Sequence, residues 1–181
     1  MIPKFVFFTK GIGTSKTKLQ SFEAALRDAG ISHVNLVKVS SILPPDCQEL
    51  ARNEGLQRLH PGQITFTVLA KHASNEPLRK LVASIGVAKP KDSTLYGYLS
   101  EHHCLDQDSV TAGDFAEDLA ASMLASALGI DFDLDADYDE KREIFLLSDK
   151  IVETKSITSS ATVDAEGLFT TVVAAAVFLM D

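Results

Sequence analysis

The sequence predicts an α+β domain in which helices pack on the faces of mainly antiparallel sheets. Strand-like runs outnumber helical ones, and the closing runs EIFLLS, IVETKSITSSAT and LFTTVVAAAVFL follow one another with no helical pattern between them. Consecutive strands without a crossover helix pair antiparallel. With 181 residues, 45% of them apolar, the chain is long enough to bury one substantial core, and 1–181 reads as a single domain. No internal repeat, low-complexity tract or linker divides it.

The elements follow from local pattern. KFVFFTK (4–10) is rich in aromatic and β-branched residues and reads as the first strand. GIGTSK then reads as a loop, with Ser15 as the cap of a helix over 16–29. Leu19, Phe22 and Leu26 give that helix its apolar stripe, and Gly30 ends it. HVNLVKVS (33–40) is a second strand. It cannot run through Pro44 and Pro45, which fix φ and lack the N–H donor. ITFTVLA (64–70) alternates as a half-buried strand, Asn75 can cap a short helix from Glu76, and SIGVA and TLYGYLSE (94–101) are strand-like. Phe115, Leu119 and Met123, widened by Leu124 and Leu128, mark a helix over 114–128 that Gly129 ends.

Charge and composition exclude some functions. A net charge of −8 repels nucleic-acid phosphates and suits a cationic small substrate. Two cysteines, Cys47 and Cys104, make no disulfide framework, which points to a reducing cytoplasm. The N-terminus lacks a signal-peptide apolar region, and LFTTVVAAAVFLM, at 13 residues, falls short of the ~20 that span a bilayer. It reads as a buried strand, and no membrane partner is expected.

Several motifs fail on spacing. GIG (11–13) lacks the third glycine of a dinucleotide fingerprint and the spacing of a phosphate loop. DFDLDADYDE (131–140) begins like a calcium loop, but Ala136 and Arg142 stand where its glycine and glutamate belong, so it reads as a solvated acidic loop. HHC (102–104) offers three metal-ligand types, but adjacent residues point apart and His33, His60 and His72 are isolated, so no metal is expected. No serine sits in a nucleophile-elbow motif.

NLVKVSSILPP (35–45) remains: a strand ending in Ser40-Ser41 with two prolines just beyond. If the backbone there is strained, the Ser41 hydroxyl can attack the Ser40 carbonyl, turning an amide into an ester. β-Elimination then releases a chain ending at Ser40, and the dehydroalanine left at position 41 hydrolyses to a pyruvoyl group. That ketone can take an amine and draw electrons from it, the role usually filled by pyridoxal phosphate. By itself Ser-Ser before Pro-Pro is also a turn.

FFTKGIG, LQSFEAALRDAGI, NLVKVSSILPP, PGQITF, SIGVA and YGYLSEHH together resemble the pyruvoyl-dependent arginine decarboxylases over most of the chain. NLVKVSSILPP is the most specific of these stretches. The resemblance implies a four-layer αββα sandwich, self-cleaved between Ser40 and Ser41 into 1–40 and 41–181. It implies a covalent pyruvoyl cofactor made from Ser41 and conversion of L-arginine to agmatine and CO₂ through a Schiff base. Trimers, sometimes paired into hexamers, with the active site between subunits, are implied in the same way.

By the same resemblance Glu101 is the acid that protonates the substrate carbon after CO₂ leaves. A carboxyl group can do this when burial raises its pKa, and Tyr98 and Leu99 suggest an apolar setting. Asn35 and Val34, and less closely Ser32, correspond to pocket-lining positions. Glu23 corresponds to the acidic residue that meets the guanidinium, where some members carry aspartate. Leu19, one turn earlier on the same face, would cover the substrate's aliphatic part. A Glu23–Arg27 surface pair is the bland alternative. Two other readings remain open here: decarboxylation of a different amino acid, and a non-catalytic oligomeric protein of the same fold. The chemistry fits polyamine-precursor synthesis and acid resistance equally.

Overall fold

A computed structural model describes residues 1–130 and 151–181, with the side chain of Val152 outside the description. The expected acidic loop at 131–140 and strand at 143–148 lie outside the described residues. In chain order the elements are β1 Phe5–Ser15, α1 Lys18–Asp28, β2 Asn35–Lys38, β3 Ile42–Leu43, β4 Gln48–Glu49 and α2 Arg52–Gln57. Then come β5 Ile64–Ser74, β6 Lys80–Pro90, β7 Gly97–Leu105, α3 Ser109–Ala127, β8 Ile151–Thr162 and β9 Phe169–Leu179.

The fold is mixed α+β, with two mostly antiparallel sheets. One has the order β2-β5-β9-β1-β4 and the other β3-β7-β6-β8. Among the described strands, only the short edge strands β2 and β4 pair parallel, to β5 and β1. The closing strands β8 and β9 do not pair with each other, contrary to the expectation from their succession. β8 joins β6 in one sheet, and β9 lies between β1 and β5 in the other.

β9 explains why its sequence is a continuous apolar run. Val172, Ala174, Ala176 and Phe178 enter the core between the two sheets. Val173, Ala175, Val177 and Leu179 enter a second core under α1, with Phe7, Ala25 and Ala29. A strand buried on both faces has no polar side to alternate with. A third cluster, Ala88, Ala120, Ala121 and Leu124, seats α3 on the four-stranded sheet.

Two sequence expectations fail for the same reason: small residues mark close packing. GIG is no loop. β1 runs through it to Ser15, and α1 begins at Lys18 with Thr17, not Ser15, as its cap, accepting from Gln20 N. Gly11 and Gly13 face α1 so closely that an added Cβ would lie 2.1 Å from Ala25 O and 2.2 Å from Ser21 O. Gly13→Ala is therefore expected to cost about 1–3 kcal/mol through overpacking, lowering Tm by ~2–4 °C per kcal/mol in a thermal melt. Likewise α3 buries Ala112, Ala116, Ala120 and Ala121, whereas Phe115 is 44% exposed. The predicted stripe of Phe115, Leu119 and Met123 is not the buried face. Alanines permit the close approach, and a Cβ on Gly86 would meet Ala116 O at 1.9 Å. No helix forms at Glu76, where the chain turns into β6.

At the opposite edge a charge cluster ties the sheets together. Lys89 Nζ on β6 lies 2.8 Å from Glu49 on β4 and 2.9 Å from Glu153 on β8, and Lys155 also binds Glu49. Burial works to raise the Glu49 carboxyl, but Lys155 and Lys89 outweigh it and hold it below the usual range. Lys89 itself holds Glu153 low. Burial works to lower Lys89, which its carboxylate partners nonetheless raise. Depressed carboxylates stabilise above their unfolded pKa and lose that stability as pH falls; a raised lysine loses its share as pH climbs past its folded value. The cluster thus stabilises between about pH 4.5 and 10. Glu49→Gln should lower Tm at pH 7, with the difference closing below about pH 4.

Candidate active site

The Ser40–Ser41 peptide is the crossing between the two sheets. The expected strand over 33–40 ends at Lys38, and Val39 N makes the last bond to β5, at Thr67 O (2.9 Å). The chain then joins the other sheet: Leu99 N donates to Ser41 O at 2.7 Å, and Ile42 and Leu43 pair with Tyr98 and Gly97 of β7. Pro44 and Pro45 stop β3 after this short pairing. Ser40 is exposed and Ser41 half-buried. Ser40 lines an apolar pocket of 540 Å³ with Val39, Ile42, Pro44, Pro45 and Phe66. Positive φ among the described non-glycine residues falls at Asp46, Leu78 and Asp106, so a left-handed backbone at the serines is not the expected source of strain.

β7 carries Glu101 two residues beyond Leu99, on the same strand face and about 7 Å along it. The fully buried Leu99 continues into the core between the sheets, and Ile85 lies opposite Glu101 on β6. Tyr98 points the other way, toward α3 and the Tyr96 ring 5.7 Å away, and contributes nothing to the setting of Glu101. The expected apolar pocket is replaced by a mixed one: the Glu101 side chain is 27% exposed, and its Oε2 lies 2.6 Å from Lys38 Nζ. Sequence reasoning passed over Lys38, although it sits inside NLVKVSSILPP. Its nearness to the serines was the available signal.

The remaining positions are dispersed in the single chain. Asn35, exposed at the start of β2, donates through Nδ2 to Gly62 O (2.9 Å), which meets a neighbouring backbone acceptor. Val34 packs against the core under α1. Leu19 is 76% exposed on α1, and both Glu23 oxygens accept from Arg27 Nη2 at 2.9 and 2.7 Å, the surface pair that spacing allowed. α1 covers the face of its sheet turned away from the four-stranded sheet. The single chain therefore gathers Ser40, Ser41, Lys38 and Glu101 but leaves Leu19 and Glu23 on an outer face.

Among the described residues, the other nucleophiles and ligands do not converge. Burial pushes the Cys47 thiol up to about 11 and raises that of Cys104, so neither free cysteine is a ready thiolate. His103 meets the His72 ring at 5.3 Å while His102 turns to Phe115 at 4.7 Å, as neighbours on a strand must. Among the described residues no His/Cys/Asp/Glu group could hold a metal ion, and no helix is long and apolar enough to cross a membrane.

Comparison with known proteins finds likeness over almost the whole chain. The family model described as pyruvoyl-dependent arginine decarboxylase matches residues 5–181. A probable pyruvoyl-dependent arginine decarboxylase of Chloroherpeton thalassium is 52% identical over 178 residues, covering 98% of both chains. Pyruvoyl-dependent arginine decarboxylases of Nitrosopumilus maritimus and Methanococcoides burtonii are 51% and 52% identical over 180 residues, covering 99% of this chain and 98% and 100% of theirs. On this likeness, which spans nearly its whole length, the chain belongs to the pyruvoyl-dependent arginine decarboxylase family.

Proposed function

We propose that this chain decarboxylates L-arginine to agmatine and CO₂ on a covalent pyruvoyl group formed from its own Ser41. The observation that carries the residue assignment is the sheet crossing: the Ser40–Ser41 peptide is anchored at Ser41 O to the strand that bears Glu101. The residues fit the group. Ser41 supplies its carbons, and the Leu99 N–H already holds the carbonyl that would remain as its amide. Once formed, the pyruvoyl ketone supplies the electron sink for the amino acid.

The chain's own residues do the rest. Ser41 Oγ attacks the Ser40 carbonyl carbon, and elimination from the resulting ester separates 1–40 from 41–181 within one domain. Glu101 holds on its carboxyl oxygen the proton that replaces the departing carboxylate at the substrate carbon. Asn35 and Val34 line the binding site. Glu23 accepts the guanidinium and Leu19 covers the methylenes, both contributed by the neighbouring protomer of a trimer or a hexamer. Their exposure on α1 supports this placement. The three cores, one between the sheets and one under each helical face, support a four-layer αββα sandwich. The setting is cytoplasmic and the product a polyamine precursor, while the proton consumed also suits acid resistance.

Denaturing mass spectrometry of the purified protein, with turnover measured on arginine, lysine, ornithine and histidine, tests the proposal. Expected are two fragments split at Ser40/Ser41, the larger blocked by a pyruvoyl group, and a preference for arginine. An intact, inactive 181-residue chain would reject the assignment.

A further inference from the structure

Lys38 is a charged group at the site to which the mechanism above gives no work. It ends β2, the edge strand of one sheet, yet its ammonium reaches Glu101 on the other sheet at 2.6 Å. The two ends of this pair differ in their access to water: the Lys38 side chain is 59% exposed and that of Glu101 27%. Along the sheet, Ile85 opposite Glu101 and Leu99 on the same face are fully buried and apolar, while His103, two residues beyond Glu101 on that face, turns to the His72 ring at 5.3 Å.

The reaction sets a requirement that this geometry meets. At each turnover the bond from the substrate carbon to its carboxylate breaks, and a bond from that carbon to a proton forms. If Glu101 gives that proton, it is left as a carboxylate and must regain one from solvent before the next cycle. An ammonium has three N–H donors on a flexible stem, so it can bind the carboxylate with one and leave the others in water. We propose that Lys38 is a positioning residue for Glu101 that also relays its replacement proton from solvent. A proton passes from Lys38 Nζ to Glu101 Oε2, and the amine so formed takes one from a solvent or buffer acid. The sum is one solvent proton consumed per CO₂ released. This rests on the reading of Glu101 as the proton donor.

The test uses the full self-cleaved protein with Lys38→Met and Lys38→Arg. Both variants should process completely by mass spectrometry and keep KM for arginine within about twofold, while kcat falls at least about tenfold, short of the roughly 10²–10⁴-fold that loss of the acid itself costs. Arginine can keep the ion pair but does not release its proton, so Lys38→Arg should also be slow. Imidazolium buffer at constant ionic strength should raise kcat of both variants in proportion to its concentration and leave the wild type unchanged. A merely structural lysine would not produce that response. Wild-type kcat in either variant, or slow variants that ignore imidazolium, would overturn the relay while leaving Glu101 in place. Wild-type turnover by Glu101→Gln would overturn the reading beneath it, and the relay with it.

Discussion

Replacing Ser41 with alanine is expected to leave one uncleaved chain of 181 residues with no measurable decarboxylation. Alanine lacks the oxygen that attacks the Ser40 carbonyl, so no ester forms and no ketone follows. The loss is total rather than graded because the variant lacks the reactive group itself, not a contact to it. Folding should survive. The junction is held by backbone bonds, Val39 N to Thr67 O and Leu99 N to Ser41 O, which do not depend on the Ser41 side chain. A thermal melt within a few degrees of wild type would show this. Ser41→Cys keeps a nucleophile that can form a thioester and eliminate to the same dehydroalanine, so partial cleavage is expected there. Cleavage of Ser41→Ala at the same peptide would sink the assignment. Ser40→Ala keeps the carbonyl under attack and should still process, because the Ser40 side chain is exposed at the pocket rim and the proposal asks only for its carbonyl.

The serines stood out beside two prolines, but their reading as a cleavage site came from the resemblance carried by NLVKVSSILPP, not from the local pattern. What they do in the fold was not legible. That Ser40–Ser41 links two different sheets depends on Val39 pairing with β5 and Ile42 with β7, contacts between segments far apart in sequence. The Lys38–Glu101 pair was hidden for the same reason. Apolar runs gave β9 and most of β5, while SIGVA marked only the middle of β6. Two misreadings, the GIG loop and the Phe115 stripe, share one cause. Large apolar residues were taken to mark buried faces, but α1 and α3 sit on Gly11, Gly13 and Gly86 through alanines. Helices that lie this close to a sheet bury their small residues and turn Phe115 outward. The short strands β3 and β4 and the six-residue helix α2 carry no periodicity to read. The position of Glu23 is different again. Its sequence suggests both a substrate contact and a surface pair with Arg27, and the single chain displays the second.

Glu101→Gln separates making the catalyst from using it. Glutamine keeps the size of the side chain, and its amide oxygen can still accept from Lys38, so the edge of the sheet core by Leu99 should hold and processing should go to completion. Glutamine cannot give up a proton as a carboxylic acid does. Removing a positioned acid of this kind typically costs about 10²–10⁴-fold in rate, and that loss should appear in kcat with KM for arginine nearly unchanged, because the acid acts after binding. Glu101→Asp makes the sharper comparison. It retains the acid but withdraws it by one methylene, away from the substrate and from the 2.6 Å contact with Lys38. Some activity should therefore return relative to glutamine without reaching wild type. Two fragments in full yield with kcat lowered at least a hundredfold in Glu101→Gln would establish the acid. Near-normal turnover in that variant would remove Glu101 from the chemistry and leave the proton to be supplied from elsewhere along the crossing.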